Sequence, residues 1–124
     1  MRTKLEDGFL SVSHDVFTSI AGHAATNCFG VKGMASRNMQ DGLVHLLKRE
    51  NLAKGVKISC PEGSVGIDID LHIVVEYGVN IPAICQSIME EVRYHVQQQT
   101  GVNVTAVNVF VDSIMTLSSK RKGD

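Results

Sequence analysis

Asp68, Asp70 and His72 alternate along S-V-G-I-D-I-D-L-H-I-V-V-E-Y-G-V-N-I-P (64–82), and Glu76 follows four residues later. In an extended chain, residues two apart point the same way about 6.6 Å from one another. Two carboxylates and an imidazole so arranged have the donor types for a divalent metal or for shared acid–base work. The same arrangement is also what any solvated sheet face shows, and no further ligand stands at a useful spacing. The residues therefore read as a solvated face that a partner could share, with no metal, cofactor or catalytic role expected. Val74 and Phe110 are apolar residues on faces that are otherwise polar. The candidate partner-binding face is accordingly Asp68, Asp70, His72, Val74, Glu76 and Phe110.

Other chemistry is thinner. Cys28, Cys60 and Cys85 are widely spaced within apolar patterns and form no C-x-x-C pair. They read as buried free thiols, not as a zinc or disulfide framework. The serines lack a G-x-S-x-G elbow, and neither G-x-x-x-x-G-K-[ST] nor G-x-G-x-x-G occurs. G-V-K-G at 30–33 has the form of the backbone clamp used by KH RNA-binding modules. This is the alternative reading: a nucleic-acid loop of Gly30, Lys32 and Gly33. Against it, such clamps join two helices, whereas Gly30–Met34 reads as a helix-ending glycine followed by a short strand.

The elements that would hold these residues follow from periodicity. Val65, Ile67, Ile69, Leu71, Ile73, Val75 and Tyr77 fall on odd positions, opposite the polar even ones, which predicts one long strand over 65–77. Gly78 allows the corner that ends it, and Asn80 with Pro82 opens a helix over 81–99. Ile81, Ile84, Cys85, Ile88, Val92 and Val96 form that helix's apolar stripe, and Gly101 stops it. A strand over 104–114 then completes a crossover, so the two strands should run parallel. Gly55–Cys60 alternates, and Pro61-Glu62-Gly63 is a tight turn, predicting an antiparallel hairpin of 56–60 with 65–77. Upstream, a short strand near 9–13 leads through Ser13 as N-cap into a helix over 14–28. A smaller helix is expected over 39–50. The expected fold is α+β: a single mixed sheet of four or five strands with two main helices on one face. One domain is expected over 8–116, with flexible termini at 1–7 and 117–124.

Composition narrows the function classes. A chain of 124 residues with 44% hydrophobic and 20% charged residues suits one soluble domain. Its net charge of −1 sets up no field toward nucleic acid or membrane. No apolar run reaches the ~18 residues of a membrane span, so direct insertion is not expected.

G-F-L-S-V-S-H-D-V at 8–16, G-V-K-G-M at 30–34, G-V-K-I at 55–58, the Y-G-V-N-I-P corner at 77–82 and T-G-V-N-V-T-A-V-N-V-F-V at 100–111 resemble the alkaline shock protein 23 family of Gram-positive bacteria. Without long charged extensions, the chain resembles its short housekeeping type. The resemblance implies a non-enzymatic protein of cell-envelope homeostasis or envelope stress, without cofactors. It implies a cytoplasmic location with recruitment to the inner face of the membrane. The partner implied is a protein: a further copy, or a membrane-anchored relative. The family supplies no catalytic residues to carry over.

Overall fold

A computed structural model of the chain describes residues 2–37, 44–46, 54–63 and 65–116, with the backbone alone described at 36–37 and 44–46. In chain order these residues form β1 (Arg2–Leu5), β2 (Gly8–Ser11), α1 (His14–Thr26), β3 (Val31–Arg37), β4 (Val44–Leu46), β5 (Val56–Ser59), β6 (Ile67–Glu76), α2 (Ile81–Thr100) and β7 (Val104–Met115).

β6 is the axis of the sheet. β7 lies parallel to it along its whole length, from Ile67 opposite Val104 to Glu76 opposite Met115, and so takes one of its edges. The other edge is divided end to end between two antiparallel strands. β5 covers 68–71, β3 covers 73–75, and β4 extends the sheet beyond β3. Where the two meet, a Cβ on Gly55 would stand 2.9 Å from the Ala35 carbonyl oxygen and 3.2 Å from that of His72. Only a residue without a side chain fits that junction. The order of the strands, left open by sequence, is thus β7, then β6, then β3 and β5 in tandem.

The odd face of β6 is the floor of the core. Ile69, Leu71, Ile73 and Val75 are fully buried there, beneath both helices. α2 contributes Ile84, Ile88, Val92 and Val96, spaced by four so that they descend one face of the helix. Burying each such side chain stabilises the fold by roughly 1.5–3 kcal/mol. α1 packs with Phe17, Ala21, Ala24 and Ala25. Its small residues let the two helices lie side by side on one sheet.

The ends of α2 match their sequence signals. Asn80 accepts a hydrogen bond from the Ala83 amide at 3.1 Å, and Gly101 takes the left-handed conformation at φ 74° while its N–H donates to Gln97. Ser13 occupies the N-cap position of α1, but its hydroxyl makes no capping hydrogen bond.

Two expectations are corrected. The helix expected over 39–50 is not what Val44–Leu46 forms: these three residues are strand β4, antiparallel to 35–37. Val44 and Leu46 alternate about His45, and the free edge of β3 supplies a hydrogen-bonding ladder that a lone helical turn lacks. The rest of that expected helix lies outside the described residues. Secondly, residues 2–5, expected within a flexible terminus, are strand β1, paired with β2 from Arg2 opposite Ser11 to Leu5 opposite Gly8.

Candidate functional site

The face of the sheet turned away from the helices carries the polar residues of β6, and β7 meets them rung by rung. Asp68 stands opposite Ala106, Asp70 opposite Asn108, and His72 opposite Phe110. One irregularity in the register falls beside Asp68 and another between Ile73 and Val74. The first brings Thr105 to Asp68, where its hydroxyl donates to the carboxylate and also lies 3.0 Å from the Ile67 carbonyl. Asn108 donates its amide N–H to Asp70 at 2.9 Å. His72 Nδ1 lies 2.9 Å from Asp112 Oδ2, a carboxylate that is only 5% exposed. The Phe110 ring stacks on His72 with centroids 4.8 Å apart and planes 14° from parallel, yet remains 45% exposed.

The carboxylates are therefore tied to neighbouring strands and do not converge on a common point. Among the described residues, no group of three or more His, Cys, Asp or Glu side chains could hold a metal ion. What the face offers is a row of cross-strand polar pairs with a half-exposed aromatic stack in it. Lys57 and Ser59 of β5 stand opposite Asp70 and Asp68 and extend the row on the other side.

Two residues of the expected face lie apart from it. Val74 is only 3% exposed, opposite Gly33 and on the same sheet face as the fully buried Ala35, so it is not available at the surface. Glu76, at the end of β6, is engaged by Lys32 at 3.6 Å. The open part of the face is 68–72 with its β7 partners.

The alternative loop is also corrected. Gly30 closes the turn after α1, where its carbonyl accepts from the Glu76 amide at 2.9 Å. Lys32 and Gly33 lie inside β3, Gly33 opposite Val74. The stretch is a turn, in which the Val31 N–H donates to the Cys28 carbonyl at 3.3 Å, followed by a sheet strand, and so is not a clamp between two helices.

All three cysteines are free. Burial, reinforced by the Glu91 carboxylate, pushes the Cys28 thiol up, and burial alone raises Cys85. Cys60 departs from the expected burial and is exposed.

Sequence reading missed the β1–β2 hairpin. Its signal was present: T-K-L and F-L-S flank Glu6-Asp7, with Gly8 directly after the turn.

Fold and face together define a small α+β domain, closed by helices on one side of a mixed sheet and presenting paired polar residues and an aromatic stack on the other. The model of the alkaline shock protein 23 family, described as having a cell envelope-related function, matches residues 2–116. The chain belongs to this family. It is 38% identical over 115 residues to YloU of Bacillus subtilis (strain 168), spanning 92% of each chain. It is 36% identical to Spy1614 of Streptococcus pyogenes serotype M6, spanning 92% of this chain and 93% of that one. It is also 34% identical to a stress response regulator gls24 homolog of S. pyogenes serotype M3, covering 88% of this chain and 60% of the relative. Among solved structures, a histidine variant of the MamM C-terminal domain aligns at a TM-score of 0.47 and 15% identity, over 82% of this chain and 98% of that one. No helix among the described residues is long and apolar enough to cross a membrane.

Proposed function

We propose that the chain is a non-enzymatic interaction protein of the cell envelope. In this reading it works on the cytoplasmic side and acts by binding further copies of itself or a membrane-anchored relative. The observation that carries the reading is the open sheet face, where Phe110 keeps nearly half its surface in solvent, stacked on His72 and flanked by carboxylates already hydrogen-bonded to their neighbours. Carboxylates fixed in this way cost a partner little side-chain ordering on contact, and a half-exposed aromatic ring is the kind of group that anchors an interface. The family's envelope-related description and the stress-response name of one relative support the cellular setting.

The test is a pull-down with the tagged full chain from soluble and detergent-solubilised membrane fractions, run beside Phe110→Ala and read by mass spectrometry. The wild-type chain should recover untagged copies of itself or a membrane-anchored member of the family, and the variant should recover severalfold less. Equal recovery with both baits, or neither species with either, refutes the proposal.

A further inference from the structure

All eight strand residues of the β1–β2 hairpin are exposed, and the hairpin forms its own two-stranded sheet, separate from the main one. An isolated two-stranded hairpin is marginal in water. This one also holds Leu5, Phe9 and Leu10 at 52%, 62% and 40% exposure. Its register gives it two unlike faces, because directly opposed residues lie on the same side. Lys4 stands opposite Phe9 and Arg2 opposite Ser11, and the Arg2 guanidinium sits 3.9 Å from the Phe9 ring centre. That face is two cations around an aromatic ring.

The open face of the main sheet has the complementary pattern. Asp70 and Asp68 stand one and two same-face positions along β6 from His72, on which the Phe110 ring stacks, and with Lys57 opposite Asp70 the two carboxylates leave this row net acidic. One surface presents cations and a ring, the other carboxylates and a ring.

We infer that the β1–β2 hairpin of one copy docks on the open sheet face of a second copy. Arg2 and Lys4 meet Asp68 and Asp70, and Phe9 packs beside Phe110. The occupant is a second copy because both halves of the match, in charge sign and in aromatic content, are carried by this chain. The contact joins two different surfaces, so the copy that gives its hairpin keeps its face free, the copy that receives it keeps its hairpin free, and the association is head to tail. This rests on the self-association reading above and names the surfaces that serve it.

Two charge-reversal variants of the full chain test it by sedimentation equilibrium at low salt. Arg2→Glu with Lys4→Glu reverses the hairpin, and Asp68→Lys with Asp70→Lys reverses the face. Each alone should raise the dissociation constant about tenfold or more, from the loss of two exposed ion pairs and the repulsion that replaces them. An equimolar mixture should associate like wild type, since reversed hairpins meet reversed faces and native hairpins meet native ones. Circular dichroism checks that each variant folds. If the face variant does not, Phe9→Ala, which leaves every carboxylate in place, should weaken association to a similar degree. Wild type that associates while all variants match it overturns the docking but leaves self-association standing. Wild type that stays monomeric at several hundred micromolar overturns both, and leaves a membrane-anchored relative as the partner to seek.

Discussion

Replacing Gly66 by alanine tests how tightly β6 and β7 are joined at their shared start. A Cβ at this position would lie 2.3 Å from the Asn103 carbonyl oxygen and 2.9 Å from its carbonyl carbon. Both are backbone atoms, so no side-chain rotation relieves the overlap and the strands must part. The same oxygen accepts the Ile67 N–H at 2.9 Å, and Ile67 and Val104 beside it are 2% and 3% exposed. Stranding a buried N–H costs about 1–3 kcal/mol, and forcing extra volume into a packed site costs about 1–3 kcal/mol. Parting the strands relieves one as it incurs the other, so the sum is not fully additive and about 2–4 kcal/mol is expected. For 124 residues, at about 2.1 cal/mol/K of unfolding entropy per residue, that lowers Tm by about 8–15 °C. Gly63→Ala is the control. Its φ is +81° with nothing within 4 Å of the added Cβ, so it carries only the left-handed backbone cost of about 1–2 kcal/mol. Thermal unfolding by far-UV circular dichroism gives the stabilities, and amide hydrogen exchange reports on Ile67 itself. Exchange there should accelerate in Gly66→Ala and stay slow in Gly63→Ala. A loss below about 1 kcal/mol, with the Ile67 amide still protected, would refute the close-approach argument.

Asn80→Ala removes the side-chain acceptor of the Ala83 amide and should destabilise the protein by about 0.5–2 kcal/mol in urea unfolding, whereas Asn80→Ser should recover most of the loss. Alkylation by iodoacetamide at mildly alkaline pH, followed by peptide mapping, should modify exposed Cys60 first, with Cys28 and Cys85 lagging. A thiol whose pKa is raised by folding keeps its proton in the folded state after the unfolded chain has lost it. The stabilising contribution of Cys28 and Cys85 is therefore whole below the ordinary thiol range and declines as pH rises through it. Thermal scans of the Cys28→Ala, Cys85→Ala double variant across that range should show a shallower alkaline decline than wild type.

The centre of this fold was legible because its signals are local. The odd-position apolar residues of 65–77 make a period-two pattern that only a strand satisfies, and those from Ile67 to Val75 are the residues buried beneath the helices, while Val65 and Tyr77 lie outside the strand and are exposed. Asn80, Pro82 and Gly101 mark the ends of α2 by their own chemistry, and the parallel pairing of β6 with β7 follows from a helix between two strands. The misreadings arose where neighbours decide. Met39, Leu43, Val44, Leu46 and Leu47 fit a helical stripe, but Val44-His45-Leu46 alternates as well, and the free edge of β3 selects the strand. Parity alone puts Val74 on the polar face, but its surroundings bury it to 3% exposure. For the open face, alternation placed Asp68, Asp70 and His72 on one side. Their partners Thr105, Asn108 and Asp112 stand some forty residues away, and the register irregularities that deliver Thr105 leave no periodic trace.

The divided edge of β6 has a consequence during synthesis. Both strands that share that edge, β3 and β5, precede β6 in the chain, so they are already made when β6 emerges from the ribosome. The opposite edge belongs wholly to β7, whose last paired residue is Met115. Between Glu76 and Met115 roughly forty residues must be added, which at about 5–20 residues per second takes about 2–8 seconds. Through that interval the nascent chain carries a ten-residue strand with one side open and its apolar face awaiting α2. The ribosome-bound intermediate is thus the state most exposed to pairing with a neighbouring nascent chain, and the spacing of ribosomes on the message becomes a determinant of yield.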